Sequence, residues 1–454
     1  MTDRLIVIGG DAAGMSAAAA ARRRDPELQI VAFERGAHTS YSACGIPYLV
    51  GGLFDDLDRL VSRSPEEFRQ TGIDVRTRCE VTAIDLERRT VTVRDLDRQS
   101  DGEEGFDQLV YATGAVAVAP PVPGADACEP VRTLHQAERF RARLERAGSR
   151  HAVVIGASYV GLEMAEAMVL RGLDVVLVER STQVMSTLDA EMAAHVQEAA
   201  EGVGIRVMLS TALEEVRHDS EGRARSVLTS EGELPADHVL LATGVKPATD
   251  LAEAAGLEVG PSGALRVDDR QRCPGVDGVF AAGDCVESRH RILERPVNVQ
   301  LGTHANKQGR IAGVNATGGD IAFPGVIGTA VSKICHYEVA RTGISECEAT
   351  DAGIDVVSVT VKDRTRAGYY PGSGPIWVKL VAEPVTGRLL GGQIVGVEGA
   401  AKRIDVLAVA VWAGVRVGEL ELFDLSYAPP FSGVYDPLLV AARQTAKAVR
   451  EAGP

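Results

Sequence analysis

The stretch HTSYSACGIPYLVGG, residues 38 to 52, sets one cysteine, Cys44, among small residues and glycines. A cysteine in such a loop can react as its thiolate, attacking a disulfide or taking up a sulfur-linked substrate. A self-closing dithiol would need a C-x2-C or C-x4-C pair, and the position five beyond Cys44 is Leu49. The reaction partner of Cys44 must therefore come from elsewhere. The other six cysteines (Cys79, Cys128, Cys273, Cys285, Cys335 and Cys347) are scattered and read as packing residues. The nine histidines show no metal-ligand spacing, so no metal is expected.

Two glycine loops stand on either side of further chemistry. DRLIVIGGDAAGMSAAAAARRRDPELQIVAFER opens the chain, and RHAVVIGASYVGLEMAEAMVLRGLDVVLVER follows at 150 to 180. Each reads as strand, glycine turn, helix, strand and acidic residue, the βαβ unit that binds a dinucleotide. In such a turn, backbone N–H groups at a helix N-terminus face a pyrophosphate, where the dipole favours negative charge. Gly9 and Gly14 hold the ends of the first turn, Ala12 and Ala13 keep the approach close, and Asp11 replaces the usual middle glycine. An acid there must point away from phosphate. Gly156, Ser158 and Gly161 form the second turn, and Glu163 follows on its helix, able to approach the nicotinamide end.

Glu34 and Glu179, each about 20 residues past its last glycine, should accept hydrogen bonds from a ribose. Arg35 and Ser42 are placed with the cofactor-binding set. Glu179 would repel a 2′-phosphate and so favours NADH, with Arg180 next door as a possible rescue for NADPH. Two nucleotide sites in one chain point to FAD plus NAD(P)H, a hydride donor beside a flavin. LVYATG (109 to 114, with Thr113 and Gly114) and LLATG (240 to 244, ending in Gly244) repeat as buried strands with small-residue turns, and GVFAAGDC places Asp284 at a strand end.

The elements that must position these residues define an α/β fold: two Rossmann-like domains plus a C-terminal α+β domain. Residues 1–115 and 246–323 are expected to form a discontinuous FAD-binding domain. Residues 116–245 would bind NAD(P)H, entered through the Pro-rich link VAPPVPG, and 324–454 would be a separate strand-rich domain. A chain of 454 residues is too long for a single core. Its formal net charge of −15 argues against nucleic acid, though a local basic pocket for a phosphorylated ligand is compatible with it. No apolar leader precedes the strand at Arg4, no stretch is suited to spanning a membrane, and the cysteine usage fits a reduced, cytoplasmic setting.

The order glycine loop, Cys44, YATG, second glycine loop, ATG, AAGDC resembles the pyridine nucleotide–disulfide oxidoreductases over essentially the whole chain. The resemblance implies FAD in the first nucleotide domain, with Asp284 on its ribityl chain, NAD(P)H in the second, and a homodimer formed through the C-terminal domain. SACGIPY resembles the single-cysteine branch, which includes coenzyme A disulfide reductases, NADH-dependent persulfide reductases, and NADH oxidases and peroxidases. Leu49 and the absence of any histidine after His336 disfavour the two-cysteine reductases. AGYYPGSGPIWVKL and LSYAPPFSGVYDP resemble the coenzyme A disulfide reductases, which implies that Tyr369 (with Tyr370 as the fallback) and Tyr427 reach the cysteine site across the dimer.

Ala12 stands where the oxidases and peroxidases carry histidine, and Ala43 where the reductases usually carry asparagine. Ser40 matches the serine four residues before the family's cysteine. The implied reaction passes hydride from NADH to FAD and on to a mixed disulfide between Cys44 and a small thiol such as coenzyme A, with Tyr369 and Tyr427 supplying a proton. Coenzyme A carries phosphates, for which Arg22, Arg23, Lys402 and Arg403 are the expected contacts. Competing readings are an NADH oxidase, an NAD(P)H flavoprotein passing electrons to an acceptor protein without Cys44, and a flavin-bound binding module.

Overall fold

Short β-branched runs that end at glycine turns assemble into parallel sheets, because the helix that follows each turn carries the chain back over the sheet before the next strand. The computed structural model describes residues 4–146 and 148–452. In the first sheet, strand Arg4–Ile8 lies between Gln108–Tyr111 and Gln29–Glu34, with Val279–Ala281 and Ile73–Thr77 at the edges, all parallel. In the second, the order is Arg206–Met208, Asp174–Val178, His151–Ile155, His238–Leu241, again parallel. Each sheet is accompanied by a three-stranded antiparallel meander, built from Cys79–Asp85, Thr90–Asp95 and Ser100–Gly105 in one case and Leu213–His218, Ala224–Thr229 and Gly232–Pro235 in the other. A two-stranded link, Ala115–Ala117 against Val245–Pro247, carries the chain out of the first unit and back.

The alanine-rich first crossover helix, Ala12–Arg24, owes its composition to its neighbour. Helix Gly302–Ala316 lies so close that a Cβ on Gly309 or Gly313 would collide with the carbonyls of Ala13 and Ala17. Small side chains on both helices permit this approach, and the pair covers one face of the first sheet.

The C-terminal unit is a five-stranded antiparallel sheet in the order Ala330–Ile334, Tyr337–Gly343, Leu389–Gly396, Pro375–Ala382, Val357–Arg364. Helices Ala400–Ala413 and Pro437–Ala452 pack on it through Ile404, Leu407, Leu438, Ala441 and Ala442. The second nucleotide unit is tied to this sheet by a buried ion cluster. Lys379, 2% exposed, meets Asp189 at 3.0 Å, Glu346 at 2.8 Å and Glu191. Gln393 donates from Nε2 to Asp189 at 2.6 Å, and the imidazole of His195 stacks on Trp377. Burial alone would lower the ammonium's pKa, but the carboxylates outweigh it and raise it. No helix among the described residues is long and apolar enough to cross a membrane.

Candidate active site

The two glycine turns repeat one geometry. Gly9 and Gly156 have φ of 110° and 102°, and a Cβ on either would strike the carbonyl of Ala112 or Ala242 on the neighbouring strand. A Cβ on Gly14 or Gly161 would strike the carbonyl of Gly9 or Gly156. Glu34 accepts from the Gly10 N–H at 2.8 Å and the Gly36 N–H at 2.6 Å. Glu179 accepts from the Ala157 N–H at 2.8 Å and the Ser181 N–H at 2.9 Å. Each glutamate thus braces its turn while its remaining lone pairs stay available to a ribose.

Asp11 and Ser158, the N-cap residues of the two crossover helices, make no side-chain capping bond. First-turn N–H groups are therefore left to a phosphate. The residues present fit one dinucleotide at each turn.

Asp11 reaches the cysteine loop: its Oδ1 accepts from the Tyr41 N–H at 3.2 Å. Burial, and after it the charge of Glu34, pushes its carboxyl up to about 6. Ser40, held at a φ of 45°, donates its N–H to the Gly10 carbonyl, and its own carbonyl accepts from the Ser62 N–H. Ser42 donates its backbone N–H to the Leu60 carbonyl at 2.8 Å. The loop that carries Cys44 is thereby pinned to the first glycine turn on one side and to residues 60–62 on the other. Cys44 itself sits exposed in the short turn Ala43–Gly45, just before helix Ile46–Gly51, where Pro47 starts the helix.

The second crossover helix, Tyr159–Leu170, brings Glu163 to the same place. Desolvation raises the Cys44 thiol first, Glu163 second, with Asp284 and Asp11 adding to it. Although one side of the residue is open, the surrounding chain desolvates the sulfur, and the charges that act on it are carboxylates. Glu163 is also raised by burial, and the Ser332 hydroxyl donates to it from the C-terminal sheet. Tyr48, one turn beyond Cys44, is raised by burial and then by Glu163 and Glu166.

Asp284 follows strand Val279–Ala281, where Gly283 packs against Ala13 at the first glycine turn. Burial raises its carboxyl, and Arg132 opposes that. The same arginine acts on Tyr41. Sequence reasoning assigned no role to Arg132, Tyr48 or Ser332; Tyr48 closes the SACGIPY motif, but no local motif marks Arg132 or Ser332.

Several expected contacts take other posts. Thr113 donates its hydroxyl to the Ala248 carbonyl at 2.8 Å and so ties the first sheet to the returning chain, while Gly114 and Gly244 make open turns with φ of 70° and 100°. Arg35 pairs with Glu80 at the surface. Arg22 does not present its guanidinium to a ligand: it donates to the carbonyls of Pro26, Leu28 and Gly72, closing the end of its helix. Arg403 is likewise withdrawn, buried and bonded to both carboxylate oxygens of Asp436 at 3.1 and 2.9 Å. A guanidinium so engaged has no face left for a phosphate. Arg23 and Lys402 remain at the surface, Lys402 beside Asp405 at 3.3 Å.

Tyr369 and Tyr427 are 78% and 47% exposed. Desolvation and a hydrogen bond with Tyr427 both raise the Tyr369 hydroxyl, so the two meet each other. The groups acting on Cys44 in its own chain do not include them. Phe431, Val434 and Tyr435, in the stretch of chain that follows Tyr427, are exposed as well.

Known proteins share this arrangement. The model of the pyridine nucleotide-disulphide oxidoreductases matches residues 3–309, and that of their dimerisation domain matches 329–437. The chain is 38% identical to the NAD(P)H coenzyme A polysulfide/persulfide reductase of Pyrococcus horikoshii, over 98% of each chain. It is 36% identical to an NADH oxidase of Methanocaldococcus jannaschii, over 98% of this chain and 99% of that one. A solved structure of an NAD-dependent persulfide reductase from A. fulgidus aligns with a TM-score of 0.94 at 38% identity, covering 99% of this chain and 84% of that one. With both halves matched, the chain belongs to the pyridine nucleotide-disulphide oxidoreductases.

Proposed function

We propose that this protein is an FAD-dependent NAD(P)H reductase that uses Cys44 to cleave a small disulfide or persulfide, with coenzyme A as the thiol it carries. One observation supports this above the rest: Asp11 of the first glycine turn and Glu163 of the second crossover helix both act on Cys44. The lone thiol therefore stands where the two nucleotide sites converge. The relatives named for coenzyme A persulfide and persulfide reduction agree with it.

The Cys44 thiolate attacks the sulfur–sulfur bond of the substrate, forming a mixed disulfide and releasing one thiolate, which takes a proton. Gly9, Gly14, Glu34 and Asp284 would hold FAD, and Gly156, Gly161 and Glu179 would hold the pyrophosphate and adenosine ribose of NAD(P)H; the bound pair would supply the electron pair that frees Cys44. For a disulfide the sum is RSSR plus NAD(P)H plus a proton giving two RSH and NAD(P)+. For a persulfide it is RSSH plus the same donor and a proton giving RSH, hydrogen sulfide and NAD(P)+. Tyr369 and Tyr427, exposed and touching each other, would serve the cysteine site of a second copy in a homodimer. Glu179 disfavours a 2′-phosphate, so NADH should be used better than NADPH.

The test is anaerobic thiol release from coenzyme A disulfide with NADH, run beside oxygen uptake in air. Thiol release that vanishes in Cys44→Ser, with a coenzyme A-sized adduct on Cys44 in the wild type, is the expected result. Rapid oxygen uptake with no thiol release would instead favour the oxidase reading, which the Methanocaldococcus relative keeps in view.

A further inference from the structure

A cleft of about 1090 Å³ opens on the second nucleotide unit, away from the glycine turn. Its walls are helix Leu134–Leu144, then Arg146, Gly148 and Ser149, and the hairpin between strands Leu213–His218 and Ala224–Thr229. Its floor includes His238, the first residue of strand His238–Leu241. That strand runs parallel to His151–Ile155, and Gly156 follows the far end of the latter. The cleft and the dinucleotide turn thus lie at opposite ends of the strands of one sheet, and a ligand in one leaves the other open.

The charges lining the cleft are uneven in their partners. Glu129 takes Arg143 at 2.6 Å and Arg139 at 3.4 Å, and Asp219 and Glu221 take Arg223 at 2.8 and 3.0 Å. Asp237 turns a carboxylate oxygen to the backbone N–H groups of Arg150 and His151, both at 2.8 Å. Arg146 and Arg225, both exposed, form no close ion pair among the described residues, although Arg225 acts on Glu233. His238 is only 7% exposed, its ring set edge-on to Phe140, and its Nε2 is buried without a hydrogen-bond partner. A buried ring nitrogen with nothing to bond costs free energy unless a ligand meets it. Burial, with Arg143 and Arg146 assisting against Asp237, lowers its pKa and keeps it neutral.

We propose that this cleft is a second binding site that takes a phosphorylated small molecule of nucleotide size. Arg146 and Arg225 receive the phosphate charge, and the His238 Nε2 bonds a polar group deeper in. An adenosine phosphate could reach it as a free nucleotide or as the end of a larger carrier such as coenzyme A, and the shared chemistry is the phosphate on a ring-bearing body.

The experiment is calorimetric titration of the FAD-loaded protein with ADP, with coenzyme A and with pyrophosphate, each in saturating NAD+ so that the dinucleotide turn is filled. ADP should bind under these conditions and weaken at least about tenfold in Arg146→Glu/Arg225→Glu, two surface changes that should leave the melting temperature unchanged. His238→Phe should weaken it as well. Hydrogen exchange should slow on ADP addition in residues 139–146 and 218–225. Coenzyme A binding that is tighter than that of ADP and is weakened in the double arginine variant, so that the Cys44 site does not account for it, would identify the carrier as the source, and tighter binding of ADP the free nucleotide. No ADP binding, displacement of ADP by NAD+, or equal affinity in the double arginine variant would each overturn the proposal.

Discussion

Cys44 is surrounded by groups that hold its proton in place. Desolvation comes first and Glu163 second among the causes that raise the thiol. Replacing Glu163 by Gln removes one negative neighbour and leaves the shape, so more thiolate should form at a given pH. Alkylation of Cys44 by iodoacetamide at about pH 8 should then run several-fold faster than in the wild type. An unchanged rate would show that Glu163 does not act on the sulfur.

Asp11 offers a second test at this scale. Its folded-state pKa, about 6, lies above the ordinary 3.8, so the native state binds a proton more tightly than the unfolded chain. Stability contributed by the protonated form is present at low pH and lost as pH rises through about 6. Asp11→Asn keeps an acceptor for the Tyr41 N–H and carries no charge. It should lie within about 0.5 kcal/mol of the wild type near pH 4 and exceed it by about 3 kcal/mol at about pH 7.5, read by urea unfolding of flavin-free protein.

At the scale of elements, the two βαβ turns are distinct tools built on one plan. Gly161→Ala would force a methyl onto the Gly156 carbonyl, while Gly14→Ala would do the same at the first turn. Gly161→Ala should keep its flavin absorbance yet reduce it with NADH at least about tenfold more slowly. Gly14→Ala should purify with little flavin.

These turns were legible because the whole device is local: strand, glycines, helix and glutamate follow one another within some thirty residues. The site between them was legible only in its separate parts. Nothing near Cys44 announces Glu163, which arrives on a helix of the other nucleotide unit, or Arg132, which precedes helix Leu134–Leu144. Arg22 and Arg403 misled in the opposite sense, since a sequence shows that an arginine is present but not that carbonyls or Asp436 already hold it. The alanine-rich first helix became intelligible only once Gly309 and Gly313 were seen against it.

At the scale of the molecule, the C-terminal sheet does more than carry the dimerisation match. Through Ser332 it touches Glu163, and through Lys379 it grips the second nucleotide unit. Lys379→Met would leave Asp189 buried without its cation, and it should cost about 3–5 kcal/mol in global stability. Lys402→Met, at the surface beside Asp405, should cost less than about 0.5 kcal/mol by the same denaturation measurement.

The cluster around Lys379 also sets a rule for anyone recombining such enzymes. Asp189 and Glu191 come from the nucleotide unit, whereas Lys379, Glu346 and Gln393 come from the C-terminal sheet and the helix beside it. A chimera that imports a foreign nucleotide module to switch coenzyme preference must graft both halves of this lock together, or the seam will hold an ammonium with too few counter-charges.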